Sequence, residues 1–246
     1  MRKANPRRYS RFYKGSFPAE YGGRLSSVVD VRMNDGNRQE YHGNISVGLL
    51  SARANLEGPI VKDRSSFNVS VRRTWLDLIT GTALAVVNKN SSIKDVFGYH
   101  FFDINAKLNH SFSDRSRAFL SFYMGQDAFR QGSKEKNGDS EDMFLWRWGN
   151  LIGSAGWNYV FGQKLFGNLM VGYSRFRSHI RQEVWGYEIY AGKEGKESFK
   201  RESHYKSEME DLSVRLSLDY SPSMNPRQTK RTHALLSRNN HTKDHT

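Results

Sequence analysis

From Phe101 to Phe112 the chain reads FFDINAKLNHSF, and its apolar residues fall on every second position. Phe102, Ile104, Ala106, Leu108 and Phe112 are apolar, with His110 the exception. Asp103, Asn105, Lys107, Asn109 and Ser111 are polar, with Phe101 the exception. Successive side chains of a β-strand point to opposite faces, so this run predicts a strand with one apolar and one polar face. It is longer than the usual strand of about five or six residues. The tripeptide SDR follows, and SRAFLSFYMG then resumes with Ala118, Leu120, Phe122 and Met124 on one face. Together they predict a long hairpin closed by a tight turn.

The pattern recurs along the chain. Leu151, Gly153, Ala155, Trp157 and Tyr159 oppose Asn150, Ser154 and Asn158; FGQK turns the chain; Leu165, Leu169, Val171 and Tyr173 continue outward. Leu212, Val214, Leu216, Leu218 and Tyr220 oppose Ser213, Arg215, Ser217 and Asp219. Nearer the start, Ile45, Val47 and Leu49 alternate with Asn44, Ser46 and Gly48, and Phe67, Val69 and Val71 with Asn68, Ser70 and Arg72. Earlier still, FPAEYGGRLSSVVDV pairs a glycine turn with the alternating run Leu25, Ser27, Val29 and Val31. The periodicity predicts about eight strands in the main body.

Connections discriminate between architectures. Tight ones fall at IVKDRS, SDR, FGQK and SPSMN, whereas Asp77 to Tyr99, Gln131 to Trp146 and the hairpin tip around Gly192 to Lys196 read as longer polar or irregular loops. Short turns on one side and long loops on the other is the layout of an outer-membrane barrel. The competing architecture is a soluble sandwich, whose strands are shorter and whose faces are seldom opposed by layers this rich in Asn, Ser, Arg and Asp. Aromatics near strand ends (Phe101, Phe102, Trp146, Trp148, Trp157, Tyr159 and Phe161) suit the interfacial girdles of a membrane barrel.

Composition sharpens this picture. The 246 residues include no cysteine, which excludes disulfides, thiolate metal sites and thiol nucleophiles. Mean hydropathy is −0.73, and no apolar run approaches the roughly 18 to 20 residues of a membrane helix. That leaves membrane strands open, because they are only half apolar. Net charge is +13, but it sits at the ends. The first fourteen residues hold six cations and no acid, and the segment from Pro226 holds five cations against Asp244. The middle is nearly balanced, which argues against a nucleic-acid-binding domain. MRKANPRRYSRFYKG lacks the apolar core of a secretory signal.

Catalytic motifs are missing. No HExxH or paired His/carboxylate spacing occurs, and His233, His241 and His245 read as solvated residues. GKEGKES fails as a phosphate loop, because the first motif glycine would fall on Tyr190 and the Ser/Thr after the lysine on Glu197. No Gly-x-Ser-x-Gly elbow is present. The expectation is a non-enzyme with no cofactor and no metal.

Two segments carry a family resemblance. RFYKGSFPAEYGGRLSSVVDVRMNDGN resembles the end of the plug domain of TonB-dependent outer-membrane receptors. GNISVGLLSARANLEGPIVKDRSSFNVSVRRTWLDLI resembles their first barrel strands, including the LEGP turn and the SF…RR strand. The likeness covers Ser10 to Asn225 and is strongest from Phe12 to Leu78. It implies a 22-stranded barrel occluded by an N-terminal plug, importing metal chelates, oligosaccharides or peptides with energy delivered by TonB.

On this resemblance the fold class is all-β: about eight strands of a transmembrane barrel plus a residual plug piece. Residues 1–37 correspond to the plug remnant, 38–225 to the first part of the barrel, and 226–246 to a basic unstructured tail of off-frame character. The chain is expected to be a receptor fragment beginning at an internal methionine, without transport competence alone. The resemblance implies outer-membrane localisation, although no signal peptide is visible. It implies outer-membrane lipid, the TonB system and a surface lipoprotein as partners, with nucleic acid not among them. Gly22, Gly23, Arg24 and Arg72 are the expected plug-to-barrel contacts. Arg72 should point into the lumen, and Arg73 should lie at the upper rim or on the wrong face. Substrate contacts are expected within Asp77 to Tyr99, Gln131 to Trp146 and Gln182 to Lys206. The alternative is a soluble basic β protein that binds nucleic acid through its tails and exposed aromatics.

Overall fold

The computed structural model describes residues 9–14, 28–137, 139–189, 196–222 and 230–245. Two short strands, β1 (Tyr9–Tyr13) and β2 (Val28–Arg32), form an antiparallel pair. The rest builds one sheet from β3 (His42–Val47), β4 (Ser51–Val61), β5 (Ser65–Thr74), β6 (Ile93–Ser113), β7 (Ser116–Glu135), β8 (Glu141–Val160), β9 (Leu165–Ile189), β10 (Lys196–Tyr220) and β11 (Lys230–His245). A helix, α1 (Leu76–Val87), joins β5 to β6. The nine strands pair in chain order, every neighbour antiparallel, and the sheet does not close: β3 and β11 are its edges.

Register sorts the side chains. One cross-strand row runs Gly58, Phe67, Leu108, Leu120, Ala155, Val171, Val214, Leu236, each the direct partner of the next. The adjacent row runs Glu57, Asn68, Lys107, Ser121, Ser154, Gly172, Ser213, Ser237. Because side chains alternate, the first row lies on one face of the whole sheet and the second on the other. The polar row is knit by Asn68 donating to Glu57 at 2.9 Å and by Ser121 bonding Ser154 at 2.5 Å.

The apolar face carries a band that covers Phe102–Phe112 of β6, Leu151–Tyr159 of β8, Leu165–Tyr173 of β9 and Leu212–Tyr220 of β10. Nothing among the described residues covers it. Leu120, Leu212 and Leu216 are 53%, 47% and 44% exposed, and no described aliphatic or aromatic side chain of the band is buried. On β8, β9 and β10 the band is about nine residues deep, roughly 30 Å along the strand. Aromatics edge the band where the tight turns lie: Trp157 contacts Tyr159 at 5.7 Å, and Tyr159 contacts Phe161 at 4.7 Å between ring centroids.

The tight turns share one end of the sheet and bond one another. Ser111 N donates to Arg64 O and Val160 N to Arg115 O, both at 2.8 Å. At the other end the strands run far past the band: β9 and β10 each have 25 residues, about 80 Å if fully extended.

The eight or so strands expected over residues 38–225 are present as β3–β10, in one open sheet. Other expectations are corrected. The segment Asp77 to Tyr99 holds α1 and the start of β6. Thr80 and Thr82 return their hydroxyls to the carbonyls of Leu76 and Leu78, and the Asn88 side chain pins the C-terminus to Asp95. The loop expected from Gln131 to Trp146 shrinks to residues 136–140, because β7 and β8 continue with a Lys134–Glu141 pair at 3.0 Å. The 226–246 tail was expected to be unstructured, yet Lys230–His245 pairs with β10 as β11. An unpaired strand edge is a ready template for backbone bonds, whatever the side-chain pattern of the segment it recruits. Of the aromatics expected in girdles, Phe101, Trp146 and Trp148 point to the polar face.

Candidate functional site

The polar face binds a segment of its own chain. Between β2 and β3, Asp35 lies over β5 and β6 near the tight-turn end. Its carbonyl accepts from Ser66 Oγ at 2.6 Å and from Asn109 Nδ2 at 2.7 Å. Its carboxylate pairs with Lys107 Nζ at 2.6 Å, and the same ammonium donates to Met33 O at 3.1 Å. Ser66 is fully buried and the Lys107 side chain only 11% exposed, whereas the Asp35 carboxylate that caps them is 60% exposed. Asp63 N donates to Arg38 O at 3.1 Å, and Gln39 donates to the Asp63 carboxylate. Gly36 permits the approach: its φ is +82°, and an added Cβ would stand 2.3 Å from Phe67 O.

Farther along the face, Arg72 donates through Nε to Asp103 Oδ2 at 2.6 Å, and its guanidinium lies 4.5 Å from the centroid of the Phe101 ring. Asp103, 7% exposed, also accepts from Tyr123 at 3.2 Å. A buried carboxylate is tolerable here because it is both paired and hydrogen-bonded. Arg72 therefore lies on the polar face, bound within the sheet. Arg73 lies on the opposite face beside Phe102, with its guanidinium 3.9 Å from Asp77 of α1, at the end of β5. Gly22, Gly23 and Arg24 lie outside the described residues.

Beyond the level of the band, the polar face turns aromatic. Phe97 meets Phe129 edge-on at 5.7 Å, Phe129 meets Phe144 at 6.2 Å, Trp146 lies 4.2 Å from Trp148, and Trp148 stacks on Tyr99 at 6.3 Å. Three strands supply these rings, because Tyr99, Phe129 and Trp146 fall opposite one another in register. Polar groups are interleaved: Tyr99 donates to Asp127 at 2.7 Å and Trp146 to Ser178 at 2.9 Å. Burial and the Asp127 carboxylate push the Tyr99 hydroxyl up to about 12. Flat apolar rings set among hydrogen-bonding groups form a surface for stacking and hydrogen bonding, without an activated nucleophile. No group of His, Cys, Asp or Glu among the described residues is arranged to hold a metal.

The substrate-contact ranges read from the sequence include most of these rings, but Phe101 and Phe129, and Trp148 two residues past the second range, fall outside them. The Asp35 contact was missed altogether. Its one legible signal is NDGN after a strand, a turn with a left-handed glycine; Ser66, Lys107 and Asn109 read as ordinary polar-face residues. No known protein family, curated protein or solved structure matches the chain.

Gly36→Val should detach the 33–39 segment at a cost of about 1–2 kcal/mol or more. By hydrogen exchange, protection of the Asp63 amide should fall at least about tenfold while the centre of β6–β7 is unchanged. Tyr99 makes a second prediction, with Tyr99→Phe as the spectral reference in an ultraviolet titration. Its ionisation should move from about 12 toward the ordinary value of 10 in Asp127→Asn. The folded-state value is raised, so the stability this contact contributes is complete below pH 10 and is lost as pH climbs toward 12.

Proposed function

We propose that this chain forms part of the wall of a wide outer-membrane transport barrel of the TonB-dependent receptor class. Its apolar band faces lipid and its polar face lines the lumen. The observation that carries this reading is the uncovered apolar row across eight strands. In water such a surface demands a second layer, because apolar burial drives folding and sheets bury their hydrophobic face against another element. In a bilayer the lipid supplies that layer.

The open edges fit the same reading. Unpaired backbone groups in lipid cost several kcal/mol each, so in a bilayer β3 and β11 are stabilised by pairing with further strands, which a second copy of this chain can also supply. An open, nine-stranded sheet suits an arc of a wide barrel, since a small closed barrel demands a different shear and tilt. The 33–39 segment lies on the lumen side, where a plug would sit. Nutrient uptake driven by TonB is the function proposed for the assembled receptor. This sheet, with both edges unpaired, is not transport-competent. The polar-face aromatics are positioned to touch a passing substrate.

Leu216 and Ser217 are neighbours on opposite faces, which makes them a matched pair for a test. In the full chain refolded into phospholipid vesicles, Leu216→Arg should cost about 2–4 kcal/mol by urea titration. Ser217→Arg should cost almost nothing. Equal costs, or the reverse order, would refute the assignment of faces.

A further inference from the structure

An open cavity of about 630 Å³ lies on the apolar face at the far edge of the band, across β7, β8, β9 and β10. Its floor nearest the band is Met124 and Leu151, direct partners in register. Gly149, the next outward-facing residue of β8, leaves the centre without a side chain. Four cations stand around it, Arg147, Arg175, Arg177 and Lys206, against one carboxylate, Glu208.

That excess is local. Glu208 is engaged by Arg177 at 2.7 Å, with Arg175 at 3.9 Å. Arg147 has no ion pair among the described residues. One step farther from the band the charges are matched: Arg181 pairs with Glu202 at 2.7 Å and Lys200 with Glu183 at 3.0 Å. His179 sits between Arg147 and Lys206 in the cross-strand row. Desolvation, then the positive charges of Lys206, His204, Arg147 and Arg181, hold its imidazole below its ordinary value. The row therefore carries a positive field that its own carboxylates leave unbalanced.

We propose that this cavity binds the phosphate of an anionic lipid headgroup, with the acyl chains lying along the apolar band. The inference rests on the reading of that band as lipid-facing. An apolar floor continuous with the band and a cationic outer wall match an amphiphile whose charge begins where its hydrocarbon ends. Arginine is suited to the role because its planar fork meets phosphate oxygens in pairs. The position, at the band's edge and beyond its hydrocarbon span, is the depth of a headgroup.

Flotation of the full chain with phosphatidylcholine vesicles, with and without phosphatidic acid, tests the proposal. The double variant Arg147→Gln/Lys206→Gln should lower affinity for the phosphatidic acid vesicles about thirtyfold and leave affinity for neutral vesicles unchanged. Arg147→Lys should retain most of the preference. Arg53→Gln/Arg117→Gln removes two cations from the polar face and should change little; an equal loss there would mean diffuse attraction and would overturn the site. Inorganic phosphate at matched ionic strength should not abolish the preference, and if it does the cavity is a soluble-anion site instead. Failure of the wild type to bind neutral vesicles, or no effect of Leu216→Arg on that binding, would refute the lipid-facing band itself. Those results are separable from loss of headgroup preference.

Discussion

Trp157, Leu169 and Leu216 lie side by side because β8, β9 and β10 hold one register. Antiparallel pairing makes each residue share a face with its partner, and the period of two sends its neighbours to the other face. A slip of one residue in β9 alone would set Gly172 and Asn168 among the leucines and drive Val171 and Leu169 onto the polar face. Both surfaces of the sheet would lose their character at once. The separation of an apolar band from a surface for polar contacts is thus a property of the backbone ladder, and the side chains in turn make every other register costly.

The polar face then does two different things along its length. Near the tight turns it is close and specific, gripping the Asp35 backbone and carboxylate with the buried Ser66 and Asn109 and with Lys107. The burial of Lys107 makes this contact unforgiving, since removing Asp35 would leave an ammonium with little water around it. Toward the far end, aromatic rings take over, in contact with one another and interleaved with Asp127 and Ser178. The apolar face changes at a similar height from leucine and valine to charged residues. Both faces therefore mark the same boundary, with long strands projecting past it.

Much of this was legible in the sequence, for a physical reason: strands with two different faces must alternate, and Phe102–Phe112 and Leu212–Tyr220 do so almost without fault. Other parts follow rules that alternation does not express. The apolar run of α1 fits neither period well, and its helix is held by threonine back-bonds and the Asn88 clasp. β11 lacks alternation because the β10 edge supplies its order. Phe101 and Phe102 looked like one girdle site, yet adjacent residues in a strand must part to opposite faces. The cationic cavity joins residues from β8, β9 and β10 that are far apart in the chain. Its sequence signal is only that alternation fails past Tyr173 and Leu212, where Arg175, Arg177, Glu208 and Glu210 take up the apolar positions.

Because the chain contains no cysteine, single cysteines can be placed freely, and the most direct measurement uses them along β10. Each residue from Leu212 to Tyr220 would be replaced in turn, labelled with a fluorophore in detergent micelles, and quenched by a lipid-soluble nitroxide or by aqueous iodide. The expected result is a strict period of two, with Leu212, Val214, Leu216, Leu218 and Tyr220 quenched by the nitroxide and Ser213, Arg215, Ser217 and Asp219 by iodide. Uniform quenching along the strand, or the opposite phase, would contradict a lipid-facing band.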